Sequence, residues 1–189
     1  QLLDIASSNS KRLTLLINDL LDLEKLAAKK MQFSFKQQQL VPVVQRAIEE
    51  NSTYGQERAV SLQLNVSAEA EYAKANIDEF RLLQVLANLL SNAIKFSPAN
   101  SVVTVAVQIE QQQVKISVSD KGPGIEEEFQ ARIFQRFAQA NSGNTREQGG
   151  TGLGLAISKE LMHAMHGDIS FASQPGHGCS FFLTLPIVS

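Results

Sequence analysis

Glycine is distributed very unevenly along this chain of 189 residues. Gly55 stands alone before residue 122, and the other ten of the eleven glycines lie between Gly122 and Gly178. Glycine reaches positive φ angles at little cost and lets the backbone approach a ligand closely. The distribution therefore predicts a chain that builds a scaffold first and binding loops later.

The composition is that of an ordinary globular protein, with 43% hydrophobic and 19% charged residues and a net charge of -2. It argues against a disordered chain and, by bulk charge, against a nucleic-acid partner. No apolar run reaches the roughly 18 residues of a membrane span, so we expect no membrane contact from this chain and a cytoplasmic location. One cysteine excludes a disulfide framework and a multi-cysteine metal site. Because Gln1 is not Met, we expect a fragment of a longer protein.

Residues 2–28 are predicted to form one long helix. Its seam alternates spacings of three and four, as in a coiled coil: Ala6, Asn9, Leu13, Leu16, Leu20, Leu23 and Ala27. Such a helix cannot bury that stripe alone, which favours a helical bundle whose partner is a second copy or a segment outside this chain. The alternative is a terminal helix docked on the core of its own domain.

Beyond this helix the hydrophobic pattern predicts alternating strands and helices. We expect strands at 32–39, 60–66, 102–109, 113–120, 168–173 and 179–185. We expect helices at 42–59, from a cap at Asn76 or Asp78 to Phe96, at 126–134 and at 153–165. The order indicates an α+β fold: a two-layer α/β sandwich, with a mixed and mostly antiparallel sheet packed on helices, preceded by the long coiled-coil-like helix.

Asp120 is the first candidate binding residue. Strand periodicity puts it on the same face as Val114, Ile116 and Val118, and the glycine-rich turn with Gly122 and Gly124 follows. A carboxylate at a strand end beside such backbone can accept a hydrogen bond from an amino group on a flat ligand, such as adenine. The alternative is a carboxylate that caps a turn.

The helix before Pro98 carries the second candidate group. Gln84, Asn88, Asn92 and Lys95 line one face of an otherwise leucine-rich helix. Asparagine is a mediocre helix former, so a pair one turn apart suggests a role. An amide oxygen is a hard neutral ligand for Mg²⁺, and Lys95 is placed for a phosphate. The alternative is a solvated helix face.

The third candidate is the glycine-rich run 149–155, which leads straight into a helix. Successive backbone N–H groups at a helix N-terminus bind phosphate. The run is not a Walker A loop and not a dinucleotide fingerprint, because no Gly-Lys-Ser/Thr follows and no strand precedes it. Alone it is weak evidence, but the three groups together describe one nucleotide: base at Asp120, metal at Asn92, phosphates at the glycine run.

These segments resemble the ATP-binding catalytic domain of sensor histidine kinases, in the GHKL superfamily with the Bergerat-type nucleotide fold. In order, the similar segments are the N box at 88–98, the first glycine box at 120–125, the F box at 133–137, the second glycine box at 150–155 and a final box at 176–178. The resemblance implies two domains: 1–30, the second helix of the dimerisation and phosphotransfer hairpin, and 31–189, the catalytic domain.

The resemblance also implies roles for individual residues. Mg²⁺ would be held by Asn92, with Asn88 assisting, while Lys95 would contact phosphate and Asp120 the adenine. A mobile lid over the nucleotide would span about 138–149, with Arg146 a candidate for the γ-phosphate. The full set implied for ATP is Asn88, Asn92, Lys95, Phe96, Asp120, Gly122, Gly124, Ile125, Phe137, Gly150, Thr151, Gly152, Leu153, Gly154 and Leu155.

Three departures from the family pattern matter. Lys121 stands where Asn is frequent, and Cys179 stands where Thr is common. The phosphoacceptor histidine with its acidic neighbour is absent, since none of the three histidines, His163, His166 and His177, suits that role. The fragment is therefore predicted to bind Mg-ATP without phosphorylating itself.

The resemblance implies a kinase that acts on a histidine, within a homodimer formed through the N-terminal helix, and passes phosphate to the aspartate of a response-regulator receiver domain. Superfamily ATPases carry a Glu one turn before the metal-binding Asn, where this chain has Asn88. An amide cannot take a proton from water, so Asn88 argues against an efficient ATPase. The alternatives are another GHKL ATPase or serine-directed kinase, and a non-enzymatic docking module with a degenerate pocket.

Overall fold

The computed structural model describes residues 2–139 and 150–188, and their side chains except for residues 2–9, 11 and 12. The helices are α1 (Leu2–Ala27), α2 (Leu40–Glu57), α3 (Glu79–Phe96), α4 (Glu127–Gln130) and α5 (Gly154–Ala164). The strands are β1 (Lys36–Gln39), β2 (Val60–Val66), β3 (Lys74–Ile77), β4 (Ser101–Glu110), β5 (Gln113–Ser119), β6 (Asp168–Ser173) and β7 (Cys179–Pro186).

Within the described residues the main sheet has five strands in the order β2-β4-β5-β7-β6. The β2–β4 pair is parallel and the other three pairs are antiparallel, so the expected mixed, mostly antiparallel sheet is confirmed. Helices α2, α3 and α5 cover one face of the sheet. The chain is therefore the two-layer α/β sandwich that the sequence predicts.

A small second sheet, β1 paired antiparallel with β3, was not foreseen in full. The strand expected at 32–39 is limited to 36–39, because Phe33 and Phe35 lie in irregular chain and stack on each other at 5.4 Å. Strand β3 was missed since four residues carry too little alternation to be recognised.

Between the two possible helix caps, the structure selects Asp78, whose carboxylate accepts a hydrogen bond from the Arg81 N–H.

Helix α3 is the central element of the helical layer. Its apolar side lies against the sheet and is almost fully buried: Leu82, Leu83, Val85, Leu86, Leu89, Leu90, Ala93 and Ile94. Each buried leucine or isoleucine contributes about 1.5–3 kcal/mol relative to an exposed side chain. This burial fixes the rotation of α3 about its axis, and it therefore fixes which side chains the opposite face presents.

Helix α1 combines the two arrangements that its seam allowed. Leu23 is only 1% exposed within the core of the domain, and Leu16 and Leu26 pack against that core. The adjoining apolar stripe stays exposed: Leu13, Ile17, Leu20 and Leu21. Docking of α1 on the core of its own domain thus buries one side of the helix. The other apolar side is covered by no element in the described part of the chain. None of the described helices is both long and apolar enough to span a membrane.

Candidate nucleotide site

The polar face of α3 lies against the start of α5. The Asn88 Nδ2 donates to the Ser158 Oγ at 3.1 Å, and Ser158 is 2% exposed. Gly154, the first residue of α5, packs directly on the Asn88 amide, so that a Cβ at this position would collide with it. Asn92, one turn further along α3, is half-buried. The two helices are therefore locked together at the point where the second glycine box enters α5.

Lys95 continues the same face towards the glycine-rich segment. Its Nζ lies 4.7 Å from the centroid of the Phe96 ring and 3.7 Å from the position that a Cβ on Gly150 would occupy. Burial, with a smaller contribution from the charge of Arg58, lowers the pKa of Lys95. A partly desolvated ammonium next to glycine backbone is suited to an anionic ligand.

Asp120 lies just beyond the end of β5 and is held by backbone groups. Its Oδ1 accepts hydrogen bonds from the Gly122 N–H at 2.7 Å and the Cys179 N–H at 3.3 Å. Burial raises the pKa of Asp120, and the two hydrogen bonds oppose that rise. No hydrogen bond from a described residue reaches its Oδ2. One oxygen of the carboxylate thus caps the turn, as the alternative interpretation of Asp120 predicts. The other oxygen remains available to a ligand.

The first glycine box is also in contact with α3. A Cβ on Gly122 would lie 2.6 Å from the carbonyl oxygen of Phe96, the last residue of that helix. Gly124 has a φ of 73° and packs against the carbonyl of Gln174. The segment 122–124 is therefore wedged between the end of α3 and the β6–β7 turn, where a side chain at either glycine would not fit.

The second glycine box contacts the end of the F box. A Cβ on Gly152, which has a φ of 71°, would lie 3.0 Å from the Phe137 backbone. Phe137 itself has a φ of 61°, an unfavourable value for a bulky residue, and is 61% exposed. Leu153 is fully buried and Leu155 is half-buried, so the leucines of this box anchor it to the core.

Thr151 has two hydrogen bonds that the sequence did not suggest. Its Oγ1 accepts from the Leu153 N–H at 3.2 Å and donates to the Asp19 Oδ2 at 2.8 Å. Asp19 lies on α1, 132 residues away in sequence. The hydroxyl of the expected phosphate loop is therefore engaged by the N-terminal helix.

The structure brings the predicted groups to one region, because α3 contacts both glycine boxes. Asn88 meets the second box at Gly154, Lys95 lies next to Gly150, and the Phe96 carbonyl meets the first box at Gly122. Most of the expected lid, with Arg146, lies outside the described residues. Asp120 therefore lies beside the first glycine box at one end of α3, and Lys95 and the Asn88 amide lie beside the second glycine box.

The three histidines have local partners of their own. The His163 Nε2 is 3.1 Å from the Asp168 Oδ1, His166 stacks on Phe35, and the His177 Nδ1 is 3.1 Å from the Pro175 carbonyl oxygen. All three are exposed. These contacts are consistent with surface and turn roles.

Side chains that sequence reasoning missed include Asp19, Ser158 and Ser173. Ser158 follows Gly154 by one helical turn, a spacing that could have indicated a contact with whatever Gly154 touches. Asp19 and Ser173 carried no local signal. Their partners are distant in sequence and become neighbours only in the folded chain.

For a metal ion, the described residues contain no cluster of three or more His, Cys, Asp or Glu side chains. The neutral oxygen of a half-buried asparagine amide fits Mg²⁺, which prefers few protein ligands together with the oxygens of a bound phosphate. Asn92 offers such an oxygen, and so does Asn88, whose Nδ2 donates to Ser158 while its Oδ1 lies against Gly154.

The fold and cleft define the class of nucleotide-binding α/β sandwich domains found in sensor histidine kinases. Residues 77–189 match the family described as "Histidine kinase-, DNA gyrase B-, and HSP90-like ATPase". The chain belongs to this family.

Several curated relatives are named as histidine kinases. The chain is 36% identical over 184 residues to sensor histidine kinase WalK of Bacillus subtilis, covering 96% of this chain and 30% of WalK. It is 33% identical over 184 residues to the signal transduction histidine-protein kinase BarA of Escherichia coli, covering 95% of this chain and 20% of BarA. The chain thus spans a third or less of the length of these relatives.

Solved structures agree with the sequence relatives. Full-length ShkA in complex with AMPPNP superposes with a TM-score of 0.83 at 30% identity, over 96% of this chain and 37% of that one. The catalytic domain of histidine kinase ThkA superposes with a TM-score of 0.69 at 24% identity, over 82% of this chain and 96% of that one. The second likeness concerns the fold alone.

Proposed function

We propose that this chain binds Mg-ATP and transfers the γ-phosphoryl group to a histidine on a dimerisation domain, for onward transfer to an aspartate of a response-regulator receiver domain. The contact of α3 with both glycine boxes supports this most directly, because it brings the segment next to Asp120 and the candidate phosphate donors to the same helix. The AMPPNP in the ShkA structure supports a nucleotide as the ligand.

In this proposal each part of the cleft has one task. Asp120 accepts a hydrogen bond from the adenine amino group, and Gly122, Gly124 and Ile125 shape the base pocket beside it. Lys95 and the N–H groups of 150–155 bind the phosphates. Asn92 would hold Mg²⁺, and the bound ion would supply charge neutralisation for the transfer. Phosphoryl transfer needs positioning and charge neutralisation more than covalent help from the protein.

We further propose that residues 1–30 are the second helix of a dimerisation and phosphotransfer hairpin and that 31–189 form the catalytic domain. The exposed apolar side chains of α1 support a homodimer through this helix, since five large ones remain uncovered among the described residues: Leu13, Leu15, Ile17, Leu20 and Leu21. Similarity to sensor kinases supports a cytoplasmic site of action with a receiver domain as the partner.

Isothermal titration calorimetry of the chain with ATP and Mg²⁺ tests the binding step. Asn92→Asp should weaken Mg-ATP binding because a carboxylate repels the triphosphate and replaces the neutral metal ligand. Asn65→Asp, at an exposed position on β2, is the control for added charge. If the unaltered chain shows no heat of binding, the proposal that it binds Mg-ATP is wrong. If Asn92→Asp binds Mg-ATP with unchanged affinity, Asn92 is not part of the site.

The transfer step needs an acceptor, which the proposal assigns to a residue outside this chain. With γ-labelled ATP, the chain alone should incorporate no acid-labile phosphate. A hairpin that carries a histidine with an acidic neighbour should become labelled when it is added. Stable labelling of His163, His166 or His177 would contradict this assignment, and rapid steady-state release of phosphate would favour an ATPase instead.

A further inference from the structure

Ser173, the last residue of β6, occupies a junction between two segments beside Asp120. Its Oγ accepts a hydrogen bond from the Ile125 N–H at 2.9 Å and donates to the Gly178 carbonyl at 3.0 Å. One hydroxyl therefore joins the first glycine box to the β6–β7 turn. It is half-buried, where a hydrogen bond cannot be replaced freely by water.

The two segments that Ser173 joins are the same two that hold the Asp120 carboxylate. Gly122, in the first segment, and Cys179, in the second, donate their N–H groups to Asp120 Oδ1. Gly178 also packs directly on the Asp120 main chain. Any change in the spacing of the two segments must therefore alter the pair of donors that orients this carboxylate.

Neighbouring contacts strengthen the same junction. The Gln130 Nε2 donates to the Ile125 carbonyl at 2.8 Å, and the Gly176 N–H donates to the Pro123 carbonyl at 2.6 Å. Burial, followed by the Asp120 charge, raises the pKa of the Cys179 thiol to about 12, while a hydrogen bond with Ser173 opposes the rise. The thiol is therefore neutral at physiological pH and adds no second anion next to Asp120.

We propose that Ser173 is a positioning residue for base recognition: by bracing residues 122–125 against 178–179, it aims the free oxygen of Asp120 at the 6-amino group of a purine nucleotide. In this proposal Ser173 acts on the nucleotide through Asp120. This inference rests on the proposed function and adds to it the residue that sets the selectivity of the base pocket.

The test compares two nucleotides that differ only at the 6-amino group, ATP and purine riboside 5′-triphosphate, each with Mg²⁺. Calorimetric Kd values are measured for the unaltered chain, Ser173→Ala and Ser173→Thr. We expect Ser173→Ala to weaken ATP binding about five- to tenfold, as for one misaligned hydrogen bond to a charged group, and to change purine riboside triphosphate binding less than about twofold. Ser173→Thr, which keeps the hydroxyl, should restore the preference for ATP.

Two further variants separate positioning from general damage. Ser119→Ala removes a serine hydroxyl adjacent to Asp120 that bonds only to Ser180, at 2.7 Å, among the described residues, so it should leave the ratio of the two Kd values unchanged. Ser173→Cys, measured with a reductant because it lies opposite Cys179, has a slightly larger side chain and a weaker hydrogen bond, and it serves if Ser173→Ala fails to fold. Equal losses for both nucleotides, or no loss, would overturn the inference. A lack of preference for ATP in the unaltered chain would instead contradict base recognition by Asp120.

Discussion

The Thr151 hydroxyl of the second glycine box donates a hydrogen bond to the Asp19 carboxylate of α1 at 2.8 Å. Desolvation by burial raises the pKa of Asp19, and the neighbouring charge of Asp22 raises it further. The hydrogen bond from Thr151 lowers that pKa and offsets part of the rise. A carboxylate is thus held beside the loop that we assign to the nucleotide phosphates. Docking of α1 in this arrangement and binding of a triphosphate should therefore oppose each other.

Replacing this carboxylate by an amide should strengthen nucleotide binding. Asp19→Asn keeps an acceptor for Thr151 but removes the negative charge, and we expect Mg-ATP affinity to rise about fivefold, equivalent to roughly 1 kcal/mol. Calorimetry measures the effect. Asp22→Asn is the matched control, because Asp22 accepts from Gln84 on α3 and not from the glycine box. Equal gains in both variants would show a general charge effect rather than competition at Thr151.

Asp120→Asn should separate stability from binding. Since burial raises the folded-state pKa of Asp120 above its value of 3.8, the ionised carboxylate costs stability. That cost is absent below the unfolded pKa, grows between the unfolded and the folded pKa, and is constant at higher pH. An amide still accepts from Gly122 and Cys179, so the ligand-free Tm at pH 7 should rise above that of the unaltered chain.

The same substitution should weaken ATP binding, because an amide whose oxygen accepts from Gly122 and Cys179 turns its NH2 group, a donor, towards the adenine amino group, which is also a donor. Thermal unfolding at pH 3 and pH 7 tests the stability arm, where the gain should be present only at the higher pH. A Tm advantage that is equal at both values would contradict the role of ionisation.

Lys95 should make nucleotide binding sensitive to alkaline pH. Burial, then the charge of Arg58, lowers its pKa below the ordinary 10.5, so the ammonium loses its proton earlier than an exposed lysine would. Affinity for Mg-ATP should therefore fall across the alkaline range, beginning at a lower pH than for a lysine with the ordinary pKa of 10.5. Lys95→Arg keeps its charge throughout that range and should show a flatter profile. Parallel profiles for the two proteins would mean that Lys95 does not contact the phosphates.

Gly154 should tolerate no side chain. In Gly154→Ala the new Cβ collides with the Asn88 amide, and overpacking of this kind costs about 1–3 kcal/mol of unfolding free energy. Gly150→Ala is the matched control, because the nearest atom to its Cβ would be the Lys95 Nζ at 3.7 Å, an ordinary contact. Chemical denaturation gives both values, and similar losses in the two variants would contradict the packing argument.

Several elements were predictable from sequence because their signals are local. Strand β2 has the predicted limits 60–66, and β6 has the predicted limits 168–173. The face of Asn88, Asn92 and Lys95 follows from helical spacing, since the leucines opposite them leave α3 one way to pack. The glycine boxes likewise predict that the backbone comes close to another group. They do not predict which atoms it contacts.

Other features depend on residues that are distant in sequence. Strand β3 exists because β1 supplies its hydrogen bonds, and four residues alone carry no readable period. The division of the α1 seam into a buried and an exposed half reflects where the domain docks on it.

The amino-acid sequence by itself determined the two-layer fold, the family and the residue types of the cleft, because periodicity, capping and glycine placement act over a few residues. Only the tertiary structure decided that Thr151 pairs with Asp19 and that Ser173 braces the donors of Asp120. Each such hydrogen bond depends on a spacing between distant segments, and that spacing is set by the packing of the whole core.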